Sequence, residues 1–430
     1  MRDSIASVAI AVTLLAGYPS RALAQTFLPG GGGAVTLPAS SVQNAGDNQF
    51  HTNLEILGQF PAQEGFGQVS PLFYGPPFPG YFYEDPASLA CIYDLQPKSS
   101  GCNPNLVKLN PSGGSKAIAV VDAYDDPDAY TDLQTFSGQF GVAGINPTSF
   151  LVIFAPHGGA TPGSCMGAAT RPPSAAGTGW DIEESLDIEY AHAMAPLATL
   201  YLVEAQSNSF ADLLCAVSVA SELVAAAGGG EVSNSWGSGE FKGETAYDSV
   251  FTTSKVVYFA SAGDSPGAIY PSTSPNVVSV GGTSTSMNPV TGDFISESTW
   301  QDGGGGESAY EPKPSYQSGL AGSNRQTPDI ASDANPYTGV WVLDSLTYGF
   351  PVWFIVGGTS VSSPTWAGIV NAAGSFAAST KAELTKLYGD PRSDFNLITI
   401  GNCGLYISEF ASTGWNSCTG LGSPDGYKGK

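Results

Sequence analysis

The sequence predicts an α/β fold: a central parallel sheet with helices on both faces. Three observations carry this. Short apolar, β-branched runs recur between residues 116 and 284, as strands buried on both faces require. Runs with helical spacing alternate with them. Clusters of Ser, Asn and Asp fall where the apolar runs end, at the edge where such sheets place their sites.

The elements follow in order. "KAIAVVDAY" (116–124) is the first strand, and "DPDAYTDLQTFSGQFG" opens on Asp-Pro into a helix. "SFLVIFAP" (149–156) is a strand, "WDIEESLDIEYAHAMA" (180–195) a helix, "LATLYLVEA" (197–205) a strand, and 209–227 a long apolar helix. Strands follow at 230–237, 255–265 and 276–284, with "ETAYDSVFTTS" read as a helix between the first two. "VWVLDS" and "WFIVGG" form a hairpin that leads to Ser360 and an Ala-rich helix. There is no internal repeat.

Length and composition set the organisation. Of 430 residues, 1–24 read as a secretory signal: Arg2, the apolar run "IASVAIAVTLLAG", then "ALA" before Gln25. The apolar run is too short for a membrane span, and none follows elsewhere. Residues 25–80 are rich in Gly, Pro, Ser and Phe and read as an extended arm or linker whose aromatics dock on the main domain. Residues 81–430 form that domain. The net charge is −23 with 15 Lys plus Arg, which excludes a nucleic-acid partner. The acidity fits either solubility or an acidic working pH. Six cysteines suit an exported chain. Cys91 and Cys102 flank one short loop and Cys403 and Cys418 another. That leaves Cys165 to pair with Cys215, unless Cys215 is a buried thiol in its helix.

Ser360, in "FIVGGTSVSSPTWAGIVNAAG", resembles the nucleophile segment of a subtilisin-type protease. A serine hydroxyl needs a base to take its proton. The chain has three histidines, His51, His157 and His192, and none lies in a suitable helix. The helix at 180–195 offers another base. Glu183 and Asp187 are about one turn apart and project from the same face. The spacing fits a solvated acidic face, and equally a pair that holds one proton between two carboxylates.

Five motifs resemble, in order, those of the sedolisins, or serine-carboxyl peptidases: "EESLDIE", "ASAGDSPG", "PSTSPNVVSVGGTS", "TPDIASDANPYTGVWV" and "GGTSVSSP". The resemblance spans about 81–430 and implies a subtilisin-like fold in which glutamate replaces the histidine base. It implies that Glu183 is the base, Asp187 its supporting acid, Asp264 the oxyanion-hole acid and Ser360 the nucleophile. It further implies that "VSNSWG" (Ser233, Asn234, Ser235, Trp236) and "ASAG" (Ser261, Ala262, Gly263) line the substrate groove. The expectation is a secreted (extracellular or periplasmic), acid-acting endopeptidase or tripeptidyl-peptidase. It would be a monomer, acting on peptides or proteins, with no membrane partner and no cofactor.

Two departures stand out. The family's calcium segments correspond to "FNLIT" (395–399) and "STGWNSCTGLGSP" (412–424). Leu397 and Asn416 stand where aspartates are expected, and Ser412 where a glycine is. Ile398 and Gly414 match, but offer only carbonyls, so no metal is expected. The family also carries a long folded pro-domain, for which 25–80 is too short. The rival assignments are a subtilisin triad of Asp122, His157 and Ser360, and a peptide-binding relative without chemistry. His192 reads as structural, Trp236 as packing or a site contact, and "GGGG" (303–306) as a flexible loop near the groove.

Overall fold

The computed structural model describes residues 33–44, 48–62, 75–78, 80–404 and 410–430. The signal-peptide segment lies outside them. The central sheet runs in the order Phe294–Thr299, Val278–Met287, Val256–Ser261, Gly230–Asn234, Ala117–Ala123, Thr199–Ala205, Phe150–Phe154. Ile330–Asp333 also pairs with Val278–Met287. All pairings are parallel except that of Phe294–Thr299, an antiparallel edge. The parallel α/β sheet expected from the sequence is therefore present.

Strand periodicity sorts the core. Ala117, Ala119 and Val121 face one cluster, with Leu213, Leu214 and Val217 of helix Phe210–Ala226. Ile118 and Val120 face the other, with Ile188, Ala191, Trp366 and Val370. The latter four belong to helices Trp180–Met194 and Thr359–Ala373. The same alternation turns Asp122 toward helix Trp180–Met194, whose acids it faces.

These two helices pack unusually close. A Cβ at Gly368 would lie 2.5 Å from the Met194 Cβ and 2.9 Å from the Ala191 carbonyl oxygen. Only glycine permits the approach that brings the acids of one helix to the start of the other.

All three disulfides form, Cys91–Cys102, Cys165–Cys215 and Cys403–Cys418, so Cys215 is not a free thiol. "ETAYDSVFTTS" is not an α-helix but two 3-10 turns, Glu244–Ala246 and Asp248–Phe251. Five of its eleven residues are Thr or Ser, weak helix formers, and its buried apolar residues, Val250 and Phe251, are adjacent rather than spaced along a helical stripe. The "GGGG" loop is packed, not loose. Gly304 N donates to Gly263 O at 2.7 Å, and a Cβ at Gly304 would meet Ala262 O at 2.2 Å.

Much of the segment read as an arm is woven into the domain. Glu55–Pro61 pairs antiparallel with Val352–Gly357, which pairs with Val340–Asp344. His51–Thr52 pairs antiparallel with Trp236–Gly239. Phe60, Phe78, Tyr81 and Tyr83 surround Trp341, with Phe60 5.5 Å away between ring centres.

Helix propensity alone favours Gly368→Ala by about 1 kcal/mol. The close packing reverses that sign. Urea unfolding is expected to show a loss of about 1–3 kcal/mol, the usual cost of overpacking. A gain in stability would refute the close-approach account.

Candidate active site

Helix Trp180–Met194 begins after Gly179, which caps it in a left-handed conformation (φ 93°). Asp181 in the first turn accepts backbone N–H bonds from Gly177 (2.7 Å) and Gly179 (3.0 Å). Every residue of the helix is buried, so the solvated acidic face does not exist. Its acids divide by direction. Glu183 and Asp187 look toward Ser360, Ser235 and Asp122. Glu184 lies among Glu204, Asp126 and Asp122. Glu189 accepts from Leu343 N at 3.2 Å.

Strand Val352–Gly357 delivers the chain to helix Thr359–Ala373 at Ser360, which is fully buried. The Ser360 hydroxyl donates to Ser235 O at 3.0 Å. It also lies close enough to Glu183 to favour the ionised carboxylate, although neither Glu183 oxygen has a hydrogen-bond partner of its own. Pro364 sits inside the helix and has no N–H, so the Ser360 carbonyl loses its helical partner. The Ser235 hydroxyl stands in, 3.3 Å from that oxygen and 2.7 Å from Asp187 Oδ1. A hydroxyl has one proton to give. It goes to Asp187, the shorter contact, and leaves the Ser360 carbonyl as the longer one.

Asp264 follows strand Val256–Ser261. Its Oδ1 accepts from Thr359 N and Thr359 Oγ1, each at 2.8 Å, while Oδ2 is buried without a partner. It is thus held by Thr359, the residue before Ser360, with one oxygen uncommitted.

Burial is the main cause of every pKa shift here. It raises Glu183 well above the usual carboxylate range, helped by Asp187 and Asp122. It raises Asp187, helped by Asp122 and opposed by the Ser235 bond. It raises Asp264, with Glu55 and Asp302 adding to it and the Thr359 bonds opposing. Asp122 is pushed up to about 8 by burial alone.

The structure brings Glu183, Asp187, Asp264 and Ser360 together. Among the other groove candidates, Ser235 and Ser261 reach the same place. Ser261 Oγ accepts from Asn53 Nδ2 at 2.6 Å. Ala262 N bonds Val280 O, and Gly263 N bonds Thr359 Oγ1 at 3.0 Å. Three others turn away. Ser233 Oγ pairs with Ser363 Oγ, and Asn234 Nδ2 donates to Phe259 O. The Trp236 ring is buried on Phe50, with its N–H donated to Val121 O at 2.7 Å. Asn53 went unnoticed in the sequence, because what makes it part of the site is pairing with residues about 200 and 300 positions away.

His157 is mostly exposed and lies 3.4 Å from Asp212, while Asp122 faces Glu183. His192 is buried against Ala143 O at 2.7 Å, and burial lowers its pKa. Near the C-terminus Leu397 is half exposed and offers no oxygen. Asn416 Oδ1 accepts from Cys418 N and Thr419 N, each at 3.0 Å, and its Nδ2 points to Ile398 O at 3.4 Å. An amide nitrogen aimed at a carbonyl stands where a cation's ligands would converge, so this donor set does not fit calcium.

Kumamolisin of Bacillus sp. (strain MN-32) is 31% identical over 328 residues, 66% of this chain and 57% of that protein. Sedolisin of Pseudomonas sp. (strain 101) is 34% identical over 173 residues, 36% of this chain and 28% of that protein. The chain belongs to the sedolisin family. Its fold agrees: the solved structure titled "Pseudomonas sedolisin (serine-carboxyl proteinase) complexed with two molecules of pseudo-iodotyrostatin" superposes with a TM-score of 0.61 at 24% identity, over 80% of this chain and 95% of that one. No protein-family model matches. This sedolisin relative spans little more than half the length of kumamolisin and less of the other.

The buried acids set a stability window. Unfolded carboxylates ionise near pH 4. Folded Asp122 and Asp126 hold their protons to about 8 and Glu204 to about 9. The folded state therefore binds more protons between these limits, and stability falls as pH rises. The melting temperature of the Ser360→Ala variant should be highest near pH 4 and drop steadily toward pH 8. A rise over that range would contradict the assignment of buried, protonated acids.

Proposed function

We propose that this chain is a secreted, acid-acting serine-carboxyl endopeptidase that works through an acyl-enzyme. The observation that carries the reading is the convergence of two uncompensated carboxylates, Glu183 and Asp187, and a third, Asp264, on one buried serine. Structural acids are normally paired with cations or solvated. These are neither, and they flank a nucleophile.

The roles follow from chemistry. Ser360 Oγ attacks the peptide carbonyl and Glu183 takes its proton, then returns it to the leaving amine. Asp187 keeps its proton, with Ser235 bonded to its other oxygen, so Glu183 can ionise beside it. Asp264 must be protonated to donate to the oxyanion, and its raised pKa favours that state. The Ser360 backbone N–H is the second donor, at the start of a helix whose dipole favours negative charge. Ser235, Ser261 and Gly263, with the backbone at Trp236, would line the groove.

Partners are peptides or proteins. Among the described residues no helix is long and apolar enough to cross a membrane. The three disulfides support export. We assign the protein a monomeric state.

A pH–rate profile on a peptide library tests the reading. Activity is expected to peak at acid pH, where Asp264 and Asp187 keep their protons and the Glu183–Asp187 pair, sharing one proton, leaves one carboxylate to act as base. It should fall as pH climbs through the raised pKa of Asp264 and the oxyanion donor ionises. Ser360→Ala and Glu183→Gln should abolish it, and Asp264→Ala should cost about 10²–10³ in kcat. His157→Ala should leave it intact. An optimum above pH 7 that survives Glu183→Gln would transfer the base role to His157. A folded protein with no Ser360-dependent hydrolysis would be a binding relative.

The C-terminal loops should be held by the Cys403–Cys418 bond in place of calcium. The melting temperature is expected to ignore a chelator and to fall on reduction. A drop with chelator would show that a metal binds there after all.

A further inference from the structure

One residue touches both the nucleophile and the acid pair. Ser235 follows strand Gly230–Asn234, at the edge of the parallel sheet where sites collect, and is fully buried. Its neighbours commit their side chains elsewhere, Asn234 to Phe259 O and Trp236 to Val121 O. Ser235 turns toward the acids. Its carbonyl oxygen accepts the Ser360 hydroxyl at 3.0 Å, and its own hydroxyl donates to Asp187 Oδ1 at 2.7 Å. The longer contact, 3.3 Å to the Ser360 carbonyl oxygen, is left without that proton.

This bond makes the two oxygens of Asp187 unequal. Oδ1 is engaged as an acceptor. Oδ2 is buried with no partner, and so are both oxygens of Glu183, about one helical turn away on the same face. A buried carboxylate oxygen without a partner is costly. One proton held between Oδ2 and Glu183 lowers that cost at both residues. With Oδ1 free, the proton could sit on either oxygen of Asp187, and on Oδ1 it would not reach Glu183.

The rest of the surroundings does not make this choice. Asp122, on strand Ala117–Ala123, acts on both acids, and Asp264 adds to it at Glu183. Asp132 of helix Ala129–Phe140 and Asp344 of strand Val340–Asp344 act on Glu189 instead, and Glu204 of strand Thr199–Ala205 acts on Glu184. Glu231 accepts from Asn371 Nδ2 at 2.7 Å. Helices Thr359–Ala373 and Pro86–Ile92 carry no charged residue. Among the described residues, Ser235 supplies the side-chain hydrogen bond that Asp187 accepts.

We propose that Ser235 is the positioning residue of the acid pair: its hydroxyl holds Oδ1 of Asp187, so that the pair's shared proton lies on Oδ2, between Asp187 and Glu183. This rests on the peptidase reading above. When Ser360 Oγ attacks, its proton goes to Glu183 and the pair holds two. The leaving amine takes one away, and the pair returns to one. A hydrogen bond to the ionised form favours that form, so Ser235 lowers the pH at which the pair gives up its first proton. Without Ser235 the pair keeps both protons, and offers no base, up to a higher pH.

The test is kcat and KM from pH 2 to 7 on one peptide, for wild type, Ser235→Ala and Ser235→Thr, with melting temperatures to show that each is folded. In Ser235→Ala the acid limb of kcat is expected to move up by about 1–2 pH units, the range of a hydrogen bond to a charged acceptor. At the wild-type midpoint that shift reads as a loss of about five- to fifty-fold in kcat, with KM changed less than about twofold. Ser235→Thr keeps a hydroxyl and should restore the midpoint. Where the alanine variant does not fold, Ser235→Cys, similar in shape with a weak S–H donor, is read in its place. A kcat lowered equally at every pH, with the acid limb unmoved, would mean that Ser235 acts through the Ser360 carbonyl or through packing. A raised KM with kcat unchanged would make it a groove contact. Either result, or a threonine variant that behaves as alanine does, overturns the proposal and leaves the peptidase reading standing. No Ser360-dependent hydrolysis by the wild-type chain overturns both.

Discussion

Helix Trp180–Met194 holds Asp181, Glu183, Glu184, Asp187 and Glu189 with every residue buried, and among the described residues no basic side chain pairs with Glu183 or Asp187. Burying an ionised carboxylate without a partner is costly, so such groups keep their protons instead. The constraint spreads outward. Burial raises Asp122, Asp126 and Glu204 on neighbouring elements and Asp344 on the hairpin in the same way, and nearby acids add to it at the last three. With 15 Lys plus Arg the chain has few cations to spend. Arg325 is fully buried and paired with Asp329 at 2.5 Å, and Arg171 pairs with Asp125 at 2.8 Å.

The geometry around Ser360 is assembled from pieces that mean little separately. Gly368 removes the side chain that would hold two helices apart. Pro364 frees the Ser360 carbonyl, and Ser235 takes that carbonyl and Asp187 together. Thr359 fixes one oxygen of Asp264 and leaves the other to face the groove.

The N-terminal segment changes how the site is understood. Composition made residues 25–80 look like a linker, because Gly, Pro and Ser dominate and no long period appears. Yet 50–61 carries enough extended, apolar character to form two strands once partners exist. Strand pairing between distant segments leaves little local trace. The misread helix at 244–254 shows the converse: its buried residues, Val250 and Phe251, anchor two 3-10 turns rather than an α-helix. Trp236 illustrates a third limit, since a residue inside a groove motif can contribute backbone to one side and bury its ring on the other.

Alone, the sequence determined the parallel α/β core, because β-branched runs alternating with helical spacings have few other solutions. It determined the acid pair one turn apart, and through ordered motifs the family and its four candidate residues. It could not say that the acid helix was wholly buried, since its mixed pattern suits a surface as well as an interior. It could not say that Asn53 meets Ser360. Those facts depend on close approach at Gly368 and on the register of Glu55–Pro61 against Val352–Gly357. Both join residues far apart in the chain, and only the folded structure brings them together.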